Sequence, residues 1–192
     1  MYKFFCLDNL KGRVEEIDFF RGVAMILVFL QHCGCVAGKY ILAFHMPLFF
    51  VLSGYLFSYN NTANKSNFKT YLCKNFKRIL IPYFVFELIN LILSLILRNS
   101  DISIMIALKS IILCINMEGY NGIILRLWFL PCIFICNIIL YFLVKCLKNK
   151  KILLFLSSIC LFIVSYLIYI SPLKRLPFTI DIALLGSSFM LL

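Results

Sequence analysis

The sequence predicts an all-α membrane protein, a bundle of about six transmembrane helices with its N-terminus in the cytoplasm. Of its 192 residues, 63% are hydrophobic and only 14% are charged, and the mean hydropathy is +0.99. This composition is too apolar for an ordinary water-soluble domain. Helices are the expected structure, because each one satisfies its own backbone hydrogen bonds within lipid.

Six apolar runs are candidate membrane spans, most of them near the length of about 20 residues that a bilayer core demands. They cover residues 17–37, 41–58, 79–97, 127–144, 152–170 and 178–192, and the last is short. A further run, 102–115, contains Lys109. We interpret it as interfacial or re-entrant, because another span would place the basic segment that follows residue 144 outside the cell.

The basic residues predict the orientation of these spans. Segment 59–78 carries five lysines and arginines and no acid, and segment 145–151 carries four lysines. Both segments and the N-terminus are therefore expected in the cytoplasm, whereas residues 34–40, 98–126 and 171–177 face outward. The net charge of +11 matches anionic membrane lipids at the inner leaflet, and no nucleic-acid partner is predicted.

The nine cysteines show neither the paired spacing of a disulfide framework nor that of a zinc site. His32 lies beside Cys33 and near Cys35, but no carboxylate stands close by to orient metal ligands. The sequence therefore predicts no metal site.

The first span carries Arg21 at its inner end and His32 at its outer end. Eleven helical steps amount to three turns plus about 20°, so the two side chains project from nearly the same face, about 16 Å apart. Either they line one pathway, or Arg21 reaches the inner headgroups while His32 rests at the outer interface. The spacing leaves both interpretations open.

The second span contains a histidine and a proline within an apolar segment. Pro47 has no backbone N–H, so the carbonyl of Ala43 loses its partner, and a kink or break is expected close to His45. Ser53 and Gly54 follow two turns later. Gly54 permits close approach of a helix or of a ligand, and Ser53 either contacts that ligand or bonds a backbone carbonyl.

In the third span, polar side chains recur at helical spacing, at Tyr83, Glu87, Asn90 and Ser94. Glu87 must therefore face protein or water and not lipid. A carboxylate within the membrane is a functional candidate by default, although it is equally compatible with a protonated or structurally paired group.

Four signatures then occur in order between residues 17 and 131: residues 17–24 followed by His32, residues 44–55, residues 78–83, and Leu127-Trp128-Phe129-Leu130-Pro131. In these the chain resembles the acyltransferase-3 family of integral membrane O-acyltransferases. The string in residues 44–55, which reads His-Met-Pro-Leu-Phe-Phe and then Ser-Gly-Tyr, is the most specific of the four.

The resemblance implies transfer of an acyl group, usually acetyl, from cytoplasmic acyl-CoA to a hydroxyl of an extracytoplasmic carbohydrate, glycolipid or cell-envelope glycan. Arg21 and His32 match the family's arginine and histidine, and the histidine is expected to assist the transfer. An imidazole suits removal of the acceptor's proton near neutral pH, or carriage of the acyl group itself. The remaining candidates are His45 and Glu87 for catalysis, and Ser53, Gly54 and Trp128 for substrate binding.

The donor is expected at the basic inner end of the third span. There Lys74, Lys77 and Arg78 are placed to hold the phosphates of acyl-CoA, which is a substrate and not a bound cofactor. The family often has two arginines three residues apart before this span. Here Arg78 fills the second place and Asn75 the first. Lys74 or Lys77 is expected to substitute for the missing charge, although neither reproduces the bidentate contact of a guanidinium.

Members of the family are larger helix bundles. We therefore interpret residues 1–192 as a single domain of the cell membrane, the N-terminal part of such an enzyme, truncated within an apolar segment. The competing interpretation is a non-enzymatic remnant or a small proton-coupled transporter, which intramembrane Glu87 and His45 and a broken helix would also suit.

Overall fold

The computed structural model describes residues 15–33, 38–59, 67–96, 104–114, 127–148, 150–171 and 176–191. Nearly all of them are helical, and none of the described residues lies in a strand. The all-α prediction is therefore confirmed. The chain divides into two compact units, with the boundary between Leu52 and Ser53.

The first unit contains α1 (Glu15–His32) and the first part of α2 (Gly38–Tyr59). Three acidic residues in the first turn of α1 complement the positive end of the helix dipole. Helix α2 passes through Pro47 without interruption, so the predicted break is not observed. One missing hydrogen bond does not end a helix whose other backbone groups remain paired.

In its described residues, the second unit contains the rest of α2 and six further α-helices, with two short segments of other helical type. In chain order the α-helices are α3 (Phe68–Asn75), α4 (Ile81–Ile96), α5 (Ile104–Leu113), α6 (Phe129–Cys146), α7 (Lys151–Ile170) and α8 (Ile180–Met190). A π-helical turn, Phe76–Leu80, joins α3 to α4, and a 3₁₀ turn, Pro177–Thr179, precedes α8.

The basic segment before the third span is helical and continuous with that span. The Asn67 side chain caps α3 by accepting a hydrogen bond from the Phe68 N–H at 3.0 Å. Pro82 has no N–H to offer the carbonyl four residues earlier. The chain adapts with the π turn, in which the Ile81 N–H donates to the Phe76 carbonyl, five residues back.

Among the residues that the structure describes, two helices are long and apolar enough to cross a bilayer, judged by length and composition. They are α6, with 18 residues and a hydropathy of 2.2, and α7, with 20 residues and a hydropathy of 2.5. Helix α5 has ten residues and is only about 15 Å long, which is too short to span and fits the interfacial or re-entrant interpretation of residues 102–115. The count of six spans stays a prediction.

Helices α7 and α8 form an antiparallel pair. The Ser158 hydroxyl donates to the Ser188 carbonyl at 2.9 Å, and the Ser165 hydroxyl donates to the Asp181 carbonyl at 3.0 Å. Seven residues forward on α7 thus correspond to seven residues backward on α8. The contact face of α8 is built of small residues, which let helix backbones approach closely: Ala183, Gly186, Ser187 and Ser188 are all buried.

Helix α6 is the centre of the second unit. It packs against the π turn through Phe134, Ile79 and Leu80, which form a buried apolar cluster, and it contacts α8 where Cys136 Sγ lies 3.2 Å from the Ala183 carbonyl oxygen. Helix α6 therefore holds the basic end of α3–α4 and the α7–α8 pair in one body.

Candidate functional site

The two residues singled out in α1 are both exposed, and both belong to the first unit. Arg21 Nη1 lies 3.8 Å from the carboxylate of Asp18, one turn earlier on the same helix. An exposed pair at this distance is weak, so Arg21 stays available to an anionic ligand. His32 occupies the last turn of α1.

His45, also in the first unit, is completely buried. Its Nδ1 lies 2.7 Å from the carbonyl oxygen of Ile41. Because that carbonyl can only accept, Nδ1 carries the hydrogen, and Nε2 of the neutral ring keeps its lone pair. Nε2 is buried and has no hydrogen-bond partner among the residues that the structure describes. This nitrogen is thus set up to accept a proton or a hydrogen bond.

Two members of the polar stripe of the third span face protein, one of the two environments predicted for Glu87. Tyr83 and Glu87 of α4 are buried, and the Tyr83 hydroxyl donates to the Ile111 carbonyl of α5 at 3.4 Å. Asn90 is half-buried. Ser94 lies in α4, but its side chain is outside the described part of the structure.

The three candidate substrate-binding residues lie in different surroundings. Gly54 is buried against the backbone of Met190, the last residue of α8, which favours the packing interpretation of this glycine. Ser53 is half-buried. Trp128 immediately precedes α6 and is half-buried, with its ring edge-on to Phe129 at 6.3 Å between centroids.

The predicted donor residues Lys74, Lys77 and Arg78 are all exposed, whereas Asn75 between them is buried. A helix places neighbouring residues on different faces, and here the amide side chain is the one that turns inward. The three cations are therefore free to meet a soluble polyanion, while Asn75 belongs to the interior of the second unit.

Helix α3 packs beside the C-terminal end of α6. The rings of Tyr71 and Tyr141 stack at 5.0 Å with an interplanar angle of 20°, and Phe68 lies 4.8 Å from Phe142. The described basic residues of α3 and of the C-terminal end of α6 thus lie at the same end of the second unit, and their common side of the membrane stays a prediction.

Sequence reasoning placed Lys145 in a basic segment on this side but missed Tyr71, Tyr141 and the contact of Lys145 with Tyr141. The Lys145 ammonium lies 3.3 Å from the Tyr141 hydroxyl, one turn earlier on α6. Their spacing of four residues was a usable signal for that contact. The stacking of Tyr71 on Tyr141 has no local signal, because it joins positions far apart in the chain.

Comparison with known proteins identifies one family. The family model described as an acyltransferase domain matches residues 14–192, a range that contains all of the candidate residues above. No match was found among curated proteins or among solved structures.

Proposed function

This chain belongs to the acyltransferase-3 family, and from that premise we propose that it transfers an acyl group from cytoplasmic acyl-CoA to an extracytoplasmic hydroxyl. The acyl group is acetyl in this proposal. The acceptor is a carbohydrate, glycolipid or glycan of the cell envelope, and the protein is a multi-pass protein of the cell membrane with its N-terminus inside.

The observation that carries the proposal is the family match, because it is continuous from residue 14 to residue 192. The matched range includes the arginine and histidine of α1, the motif around His45 in α2 and the basic turn before α4. A match to a single short motif would not bring residues from these separate elements under one activity.

The chemistry needs a base at the acceptor. The acceptor oxygen attacks the thioester carbonyl while an imidazole takes the hydroxyl proton, and collapse of the tetrahedral intermediate breaks the C–S bond and releases CoA as a thiolate, which is then protonated. We assign the base to His32, at the outer end of α1. Arg21, at the other end of that helix, is assigned to the anionic donor.

The donor enters at the basic end of the second unit. CoA carries several phosphate charges, and Lys74, Lys77 and Arg78 are exposed together there. Clustered cations raise the local concentration of a polyanion and steer it towards the site. The guanidinium of Arg78 adds planar, two-point recognition of a phosphate.

The experiment follows label from donor to acceptor. Membranes from cells expressing the gene are given acetyl-CoA labelled in the acetyl group, and label is counted in the envelope glycan fraction. His32→Ala is expected to lower incorporation about 10²–10⁴-fold, the usual effect of losing a general base. Cys33→Ala, an exposed neighbour on the chain, is the matched control and should leave incorporation unchanged.

Label incorporation and proton flux, both measured in the same membranes, distinguish acyl transfer from proton-coupled transport. No incorporation of label by the wild-type protein, together with a proton flux that depends on Glu87, would contradict acyl transfer and favour a transporter. Incorporation that His32→Ala leaves intact would reject His32 as the base while leaving the transfer itself in place.

A further inference from the structure

Helices α1 and α2 meet at one end of the first unit. A Cβ built on Gly38, the first residue of α2, would lie 3.8 Å from the carbonyl oxygen of Gln31, in the last turn of α1. His32 directly follows Gln31, so it lies at the same end, beside the start of α2. In the orientation expected from the basic segments, this end faces outward.

His45 lies farther along α2 from that end. It is seven residues after Gly38, which corresponds to about 10 Å along the helix axis. The two histidines therefore lie at different depths, with His45 on the cytoplasmic side of the junction between α1 and α2. A group that approaches His32 from the cytoplasm must pass the level of His45.

The imidazole of His45 has one nitrogen with a partner and one without. Nδ1 lies 2.7 Å from the Ile41 carbonyl oxygen, and Nε2 is buried and has no hydrogen-bond partner among the described residues. A buried acceptor without a partner lowers stability. A bond formed there is strong, because the surroundings have a low dielectric constant. A ligand that brings an N–H or O–H group would supply the missing partner.

The bond to Ile41 also fixes the ring. It keeps the hydrogen on Nδ1 and holds the plane of the imidazole, so the lone pair of Nε2 points in one direction. A lone pair accepts from an N–H or O–H group and repels the oxygens of a phosphate or carboxylate. His45 is therefore suited to a neutral, hydrogen-donating part of a ligand.

We propose that Nε2 of His45 accepts a hydrogen bond from an amide N–H of the pantetheine arm of acyl-CoA. This contact rests on the proposed function, since the arm belongs to the same donor. The arm is neutral, carries two amide groups and joins the phosphates of CoA to the thioester. When the phosphates stay at the cytoplasmic side and the thioester reaches His32, the arm lies at the level of His45.

A hydroxyl of the acceptor has the same hydrogen-bonding chemistry as the amide. The depth of His45 favours the donor, because an extracytoplasmic acceptor would have to pass His32 to reach it. The contact with the arm would set how far the thioester extends towards His32, which makes His45 a substrate-binding residue and leaves the base at His32.

The test measures binding of acetyl-CoA and of two analogues, in each of which one amide N–H of the arm is replaced by an ester oxygen. The purified protein is held in nanodiscs, and its folded state is checked by size-exclusion chromatography. The wild type should bind one analogue about tenfold more weakly than acetyl-CoA, because the ester oxygen meets the Nε2 lone pair.

The same ligands are then given to two variants. His45→Asn removes the Nε2 acceptor, so it should bind acetyl-CoA and both analogues alike, the non-additivity that a direct contact predicts. His32→Ala, the matched control, leaves His45 in place and should keep the preference of the wild type.

Nitrogen NMR gives a readout that a merely structural histidine would not change. The chain has two histidines, so His32→Ala labelled with ¹⁵N-histidine reports His45 alone. Acetyl-CoA should shift the Nε2 resonance, and the weaker-binding analogue, at saturation, should not give the same shift. Binding of acetyl-CoA without a shift at Nε2 would overturn the contact.

The other outcomes separate donor, acceptor and function. An unchanged preference among the three ligands in His45→Asn, or no acetyl-CoA binding by the folded wild type, would overturn the contact. Unchanged donor binding with less label in the glycan fraction would assign Nε2 to the acceptor instead. Donor binding that depends on His45, in a protein that transfers no acyl group, would keep the contact and contradict the proposed function.

Discussion

Gly54 of α2 lies directly against the backbone of Met190 at the end of α8. A Cβ built on Gly54 would come within 2.7 Å of the Met190 Cα and 2.8 Å of its carbonyl carbon. Backbone atoms of a helix cannot turn aside as the tip of a side chain can. The missing side chain at position 54 therefore serves helix packing within the second unit.

Gly54→Ala is expected to destabilise the protein by about 1–3 kcal/mol, the usual cost of forcing extra volume into a packed interface. Gly22→Ala is the control, because a Cβ at Gly22 meets nothing within 4 Å. Alanine favours helix over glycine, so the control should be neutral or up to about 1 kcal/mol more stable. The free energy of unfolding of each variant is measured by titration with a denaturing detergent. Equal values for Gly54→Ala and Gly22→Ala would contradict the close packing at Gly54.

The α7–α8 pair offers a second matched comparison. The Ser158 hydroxyl bonds the Ser188 carbonyl of α8, whereas the hydroxyl of its neighbour Ser157 bonds Leu154 within α7, at 2.7 Å. Ser158→Ala should lower the free energy of unfolding by about 0.6–1.5 kcal/mol. Ser157→Ala removes no contact between helices and should change it little. The same unfolding series measures both, and a larger loss for Ser157→Ala would show that the register is wrong.

The sequence predicted the helices well because length and apolarity are local properties. Residues 127–144 and 152–170 were expected as spans, and α6 and α7 occupy 129–146 and 151–170. The uninterrupted path through Pro47 was not predicted, since whether a proline ends a helix depends on its surroundings. The π turn before Pro82 was missed for the same reason.

Residues of the candidate site were predictable where a motif contains them or where a polar group interrupts an apolar segment. His45 and Glu87 drew attention as polar groups in apolar segments, and both are buried. The contact between Tyr71 and Asn137 joins residues 66 positions apart, and no pattern along the chain encodes it. The same holds for the stacking of Tyr71 on Tyr141, whereas the contact of Lys145 with Tyr141 follows the four-residue spacing of a helix.

Labelling of single cysteines tests the orientation, in a variant whose nine native cysteines are replaced. Gly38→Cys should react with an impermeant maleimide on intact cells, and Asn64→Cys and Asn149→Cys only after permeabilisation, because the basic segments are expected inside. Reaction of Asn149→Cys from outside would overturn the orientation and the sides assigned to donor and acceptor. Opposite results at positions 64 and 149 would contradict the packing of α3 on α6.

The last prediction tests which of the two histidines, His32 or His45, acts as the general base. His45 holds its Nδ1 hydrogen on the Ile41 carbonyl, and asparagine offers an N–H donor at a similar place, so His45→Asn should keep that bond while removing the Nε2 lone pair. If His32 is the base, His45→Asn should lower acyl transfer much less than the roughly 10²–10⁴-fold expected for His32→Ala. Labelled acetyl transfer by the two variants, in equal amounts of folded protein, decides between them. A loss confined to His45→Asn would move the base to the buried Nε2 of His45, where the ring already has the tautomer that a base requires.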